Sequence, residues 1–136
     1  MGTYSTEEVL KIRIPNRSPF SPATIIFLQL HARLKELEAQ GGEAANIAAV
    51  HHRAEVFRAE VRKYGWAMPT ESPTYAITAI QTKDGPERKI FRGLIEKYKT
   101  FIMPGGIPGF YRISHMGLQT DEELRELAAR IKEFEP

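Results

Sequence analysis

Ile47, Val50, Ala54, Phe57, Val61 and Tyr64 follow one another at spacings of three and four residues, with charged side chains between them. That is the period of an α-helix carrying one continuous apolar stripe, and Gly65 supplies its stop. A helix predicted over 43–64 cannot cover such a stripe by itself, so the rest of the chain has to provide a broad apolar surface for it. His51, His52, Arg53, Glu55, Arg58, Glu60, Arg62 and Lys63 are left to form a solvated face. Adjacent helical residues point about 100° apart, which argues against a metal shared by His51 and His52. Glu55 and Glu60 interrupt the basic run that a nucleic-acid surface would need.

The surface the helix needs is a small sheet. Residues 74–82 set Tyr75, Ile77 and Ala79 against Thr74, Ala76, Thr78 and Ile80, the alternation of a strand, with Asp84-Gly85 as the turn that follows. Shorter strands are expected at 66–69 and 101–103, and a longer one at 110–116. Three further helices complete the pattern. One spans about 21–40, started by Ser21 as N-cap with Pro22 at the first helical position and ended by Gly41-Gly42. Its first half, Ile25-Ile-Phe-Leu28, is apolar almost all round, which implies burial on two sides. The next covers 87–98 with Ile90, Phe91, Leu94, Ile95 and Tyr98 inward. The last begins at a Thr120/Glu123 capping box and buries Leu124, Leu127, Ile131 and Phe134. The expected fold is a two-layer α/β domain, a small antiparallel or mixed sheet with helices on one face, over 18–136, preceded by an N-terminal arm at 1–17.

Within the last strand, Gly109-Phe-Tyr-Arg-Ile-Ser-His-Met-Gly117, the alternation puts Tyr111, Ile113 and His115 on one face and Phe110, Arg112, Ser114 and Met116 on the other. An arginine sharing a face with Phe and Met is expected to be partly shielded from water. Its charge cannot be shed, and its fork of donors matches a carboxylate. One of the chain's own 17 acidic residues would serve as a structural partner; a ligand carboxylate is the alternative.

This run, with Met103-Pro-Gly-Gly106 before it, Glu71-Ser-Pro-Thr74 upstream and Ser18-Pro-Phe-Ser-Pro22 opening the first helix, resembles the C-terminal small domain of class V aminotransferases. These are pyridoxal-phosphate enzymes of the alanine–glyoxylate and serine–pyruvate type. The resemblance extends from about residue 18 to 136. It implies that Arg112 grips the carboxylate of an amino acid or 2-oxo acid substrate, and that Ser18 and Ser21 reach the cofactor phosphate of a neighbouring subunit. Ser114 stands where the family's run has glycine. The Schiff-base lysine belongs to the family's large domain, so pyridoxal 5'-phosphate would be held only with a large-domain polypeptide present, and the chain would be inactive alone. The competing reading is a non-catalytic interaction or regulatory domain of the same ancestry, self-associating through the 25–28 surface. An amino-acid-sensing module of ferredoxin-like shape is a third, resting on fold outline only.

Composition excludes more than it assigns. Nineteen basic against 17 acidic residues leave a net charge of +2 with the signs interleaved, so neither nucleic acid nor a membrane surface is implied. The absence of cysteine excludes disulfides, thiolate metal sites and a cysteine nucleophile, and accords with a cytoplasmic protein. No apolar run approaches the ~20 residues of a bilayer-spanning helix, and no basic leader precedes an apolar stretch. Walker, dinucleotide and nucleophile-elbow motifs are lacking.

Overall fold

The computed structural model describes residues 23–136. They fall into two units, divided between Gln40 and Gly41. In the first, α1 (Thr24–Ala39) is a helix with Ala23 at the cap position and no side-chain cap. Its large apolar residues are exposed: Ile25, Ile26, Phe27, Leu28, Leu30 and Leu34 range from 52% to 72%. The Ser21 cap and the 1–17 arm lie outside the described residues.

The second unit contains α2 (Gly42–Tyr64), β1 (Ile77–Gln81), α3 (Lys89–Tyr98), β2 (Met103–Pro104), β3 (Phe110–Ser114) and α4 (Asp121–Glu133). The three strands form one antiparallel sheet in the order β1-β3-β2. Residues 66–69, expected as a short strand, contribute a single bridge, Ala67 to Gln81. The outer edge of β2 ends on Pro104, a residue tolerated at sheet edges because it has no N–H to donate.

The architecture is the expected one: helices cover one face of a small antiparallel sheet. Thr78, Ile80 and Thr82 from the first strand segment and Tyr111, Ile113 and His115 from the last point into the covered side. They meet Phe57 and Val61 of α2, Ile90 and Leu94 of α3, and Leu124, Ala128 and Ile131 of α4. The α2 stripe reaches this core from Ala54 onward, whereas Ile47 overhangs it and is exposed. In α3 the turn of the helix carries Ile95 outward, contrary to expectation. The capping box forms as read: Thr120 accepts from the Glu123 N–H, and Glu123 accepts from the Thr120 N–H.

One junction holds these elements in register. The Asp84 carboxylate is buried and accepts from the N–H groups of Lys89 (3.0 Å) and Ile90 (3.2 Å), so it caps α3 from a distance of five and six residues. The Tyr111 hydroxyl of β3 donates to the same carboxylate. Beside it, the backbone N–H and the hydroxyl of Thr82 both donate to the carbonyl of Gly109. Gly109 has φ +74°, and a Cβ there would lie 2.5 Å from the Thr82 carbonyl, so neither its conformation nor its surroundings admit a side chain. At the same end of the sheet Glu135 accepts from the Trp66 indole and from the Lys83 N–H, tying the end of α4 to the segment after β1. No described helix is long and apolar enough to cross a membrane.

Two expectations follow. Asp84→Ala strips the α3 cap and leaves a buried hydroxyl without its acceptor, so it lowers unfolding free energy in urea by about 3 kcal/mol, and Asp84→Asn by about 1. Lys99, which closes α3 at φ +52°, is a lysine where glycine is the unstrained residue; Lys99→Gly raises stability by about 0.5 kcal/mol.

Candidate functional site

The helices α2, α3 and α4 all lie on one side of the sheet, and within the second unit no described helix covers the opposite face. Arg112 stands at its centre, on the middle strand. Its register partners are Ala79 on β1 and Met103 on β2, so the row across the face runs small, cationic, apolar. Ile77 and Ser114 form the next row. On the other side of Arg112 the Gln81–Phe110 pair follows, with the Phe110 ring lying against Gly105. Ile77, Met103, Arg112 and Ser114 surround an open hollow of about 230 Å³.

The arginine was expected to be shielded; it is exposed. The reason is the single helical layer: sharing a face with apolar residues shields a charge only if something covers that face. Nor does an acidic residue hold it. Among the described residues the Arg112 side chain makes no ion pair and no hydrogen bond. Its fork is therefore open to a planar anion, with Ser114 as a polar neighbour and Met103 and Ile77 as apolar contacts. In open water such an arginine–carboxylate pair is worth at most about 1 kcal/mol. The same pair strengthens when a second surface closes over it and removes water.

Pyridoxal phosphate does not fit the described residues on their own. The lining of the hollow has no lysine for an aldehyde and no carboxylate for a ring nitrogen. Ser18 and Ser21 lie outside the described residues.

The buried arginine is another one. Arg58, assigned from sequence to the solvated face of α2, is 4% exposed. It occupies positions i+1 from Phe57, i+4 from Ala54 and i−3 from Val61, hence the same side of the helix as the core. Its donors are used: Nε to the Thr78 hydroxyl (3.2 Å), Nη2 to the Thr74 carbonyl (2.7 Å) and Nη1 to Glu55 (3.2 Å), with the guanidinium over the Tyr75 ring. His115 is buried beside it. Its Nε2 lies 2.8 Å from the Thr78 hydroxyl, its Nδ1 has no partner among the described residues, and its carbonyl accepts from Arg53 Nε. His51 stacks on Tyr75, while His52 meets Asp121, so the two adjacent histidines serve different contacts. This cluster sits on the helix side of the sheet and is structural: it fixes the start of β1 and the end of β3 relative to α2.

Burial, reinforced by the charges of Arg58 and Arg53, pulls the His115 imidazole down to about 4. A histidine neutral in the fold and titrating near 6.5 when unfolded binds its proton preferentially in the unfolded chain. Its contribution to stability is thus complete above pH 6.5 and is lost as pH falls toward 4. Urea midpoints from pH 7.5 to 4.5 should show this loss in the wild type, and His115→Gln should flatten the profile by about 2 kcal/mol.

No protein-family model matches the chain, and no curated protein matches it.

Proposed function

We propose that this chain is the small domain of a pyridoxal-phosphate-dependent aminotransferase, contributing the arginine that holds the substrate carboxylate while a large domain contributes the lysine. The observation that carries the reading is Arg112: a central, exposed cation with no acidic partner among the described residues, on the face of the sheet opposite α2, α3 and α4. A guanidinium serving the fold would be satisfied within it, as Arg58 is. Arg112 is instead presented outward, beside a hollow of a size suited to a small carboxylate-bearing molecule. Because a solvent-exposed pair binds weakly, the role requires a second surface, which accords with a domain that acts together with another polypeptide.

In that role Arg112 binds and orients; it moves no proton. Holding the α-carboxylate by two parallel hydrogen bonds fixes the amino acid in one plane and leaves its Cα and amino group free to meet chemistry supplied from the opposing surface.

The protein should be purified from its own cells and its native mass and visible spectrum recorded in a single chromatographic run. The expected result is a yellow complex that contains a second polypeptide and bleaches on addition of an amino acid. In that complex Arg112→Ala weakens amino-acid binding about 100-fold and leaves cofactor binding within about twofold. A colourless homo-oligomer, or substrate affinity indifferent to Arg112→Ala, overturns the reading.

A further inference from the structure

We propose that His115 and the side chains around it form an acid-operated latch at one end of the sheet. When the imidazole takes a second proton, the start of β1 and the end of β3 come away from α2, while the opposite end of the sheet stays fastened. The inference concerns the helix side of the sheet and stands apart from the carboxylate reading of Arg112.

The direction of the hydrogen bonds carries the argument. Arg58 can only donate, and its Nε gives to the Thr78 hydroxyl. That hydroxyl has one hydrogen of its own, and His115 Nε2 stands 2.8 Å away to accept it. The network therefore assigns the bare nitrogen to Nε2 and the proton to Nδ1, which is buried and has no acceptor among the described residues. The neutral cluster is complete but for that one bond. A second proton goes to Nε2, where it meets the oxygen that already accepts from Arg58, and the hydroxyl hydrogen then loses its acceptor.

Nothing in the cluster answers the new charge. α2 faces His115 with two cations, Arg58 and Arg53, the latter donating to the His115 carbonyl at 2.9 Å. β1 offers the uncharged Thr78. Glu55 is bonded to Arg58 and shared with Arg62. Tyr75 lies beneath Arg58 with His51 stacked on it, and Asp121 at the start of α4 is held by His52 and Arg125. An imidazolium sealed from water beside two guanidiniums, with no carboxylate bonded to it, is relieved by opening the site.

Opening is local because the two ends of the β1–β3 ladder are held differently. At one end Thr82, Gly109, Tyr111 and Asp84 bind three elements together. At the other, the last ladder bond runs from the His115 N–H to the Ala76 carbonyl (2.9 Å), and the segments beyond it, 70–75 and 116–118, are largely exposed. The pair just inside, Ile77 and Ser114, supplies two of the four side chains around the Arg112 hollow. The latch thus also sets how firmly that hollow is walled.

Amide hydrogen exchange of the full chain at about pH 7.5 and 5, corrected for intrinsic rates, tests the latch. An imidazole held at about 4 when closed and titrating near 6.5 when open raises the opening equilibrium about 30-fold between these two conditions. The His115 N–H should exchange faster by that factor. The Thr82 N–H, at the opposite end of the same ladder, should stay within about threefold. His51→Gln with His52→Gln, both exposed positions, leaves the rise intact; His115→Gln removes it. Fluorescence of the buried Trp66, the single tryptophan, verifies that each variant is folded. A His115 amide indifferent to pH, or equal acceleration at Thr82, overturns the proposal. So does a rise that persists in His115→Gln or disappears in the double variant.

Discussion

The Asp84 carboxylate is the point at which the second unit is fastened. A charged group so nearly sealed from water persists only where donors replace its hydration, and here they come from two separate elements, the first turn of α3 and the tyrosine of β3. The arrangement makes the turn after β1, the start of α3 and the middle strand one assembly. It also explains why Arg88 can stand at φ +53° just before the helix: the cap is supplied by a residue four positions earlier, and the chain between must loop back to let it reach. Burial, and then the neighbouring carboxylate, hold the Tyr111 hydroxyl well above its ordinary range, so that it remains a donor at any physiological pH.

The parts of this fold that could be read from sequence are those encoded at short range. The capping box of α4 depends on two residues three apart, and the faces of β3 follow from the pleat. Asp84 was visible only as half of an Asp-Gly turn, because its cap reaches α3 across a loop and its tyrosine partner is remote in sequence. Arg58 was misassigned because its charge was weighted above its position, although positions 54, 57, 58 and 61 share one helical face. Alternation alone shows that a strand has two faces and not which one is covered. That is why Arg112 was located correctly on its face and wrongly expected to be shielded.

The two arginines on either side of the sheet show how environment divides one chemistry into two uses. Arg58 has a hydroxyl, a carbonyl and a carboxylate within hydrogen-bonding distance and an aromatic ring beneath it, so removing any one partner would leave a buried charge less satisfied. It belongs to the fold. Arg112 is a few residues from the buried His115, on the strand that completes the same cluster, yet it has water for a neighbour.

That separation bears on how such a chain can change over time. A side chain that contributes little to the folded state can be exchanged with little effect on it, and Arg112 sits in a row whose other members, Ala79 and Met103, are uncharged. Substitution at position 112 therefore alters the chemistry of this face and hardly affects whether the domain folds. A lineage carrying this scaffold could change the charge of that face by a single substitution, while the junction at Asp84 continued to hold the architecture in place.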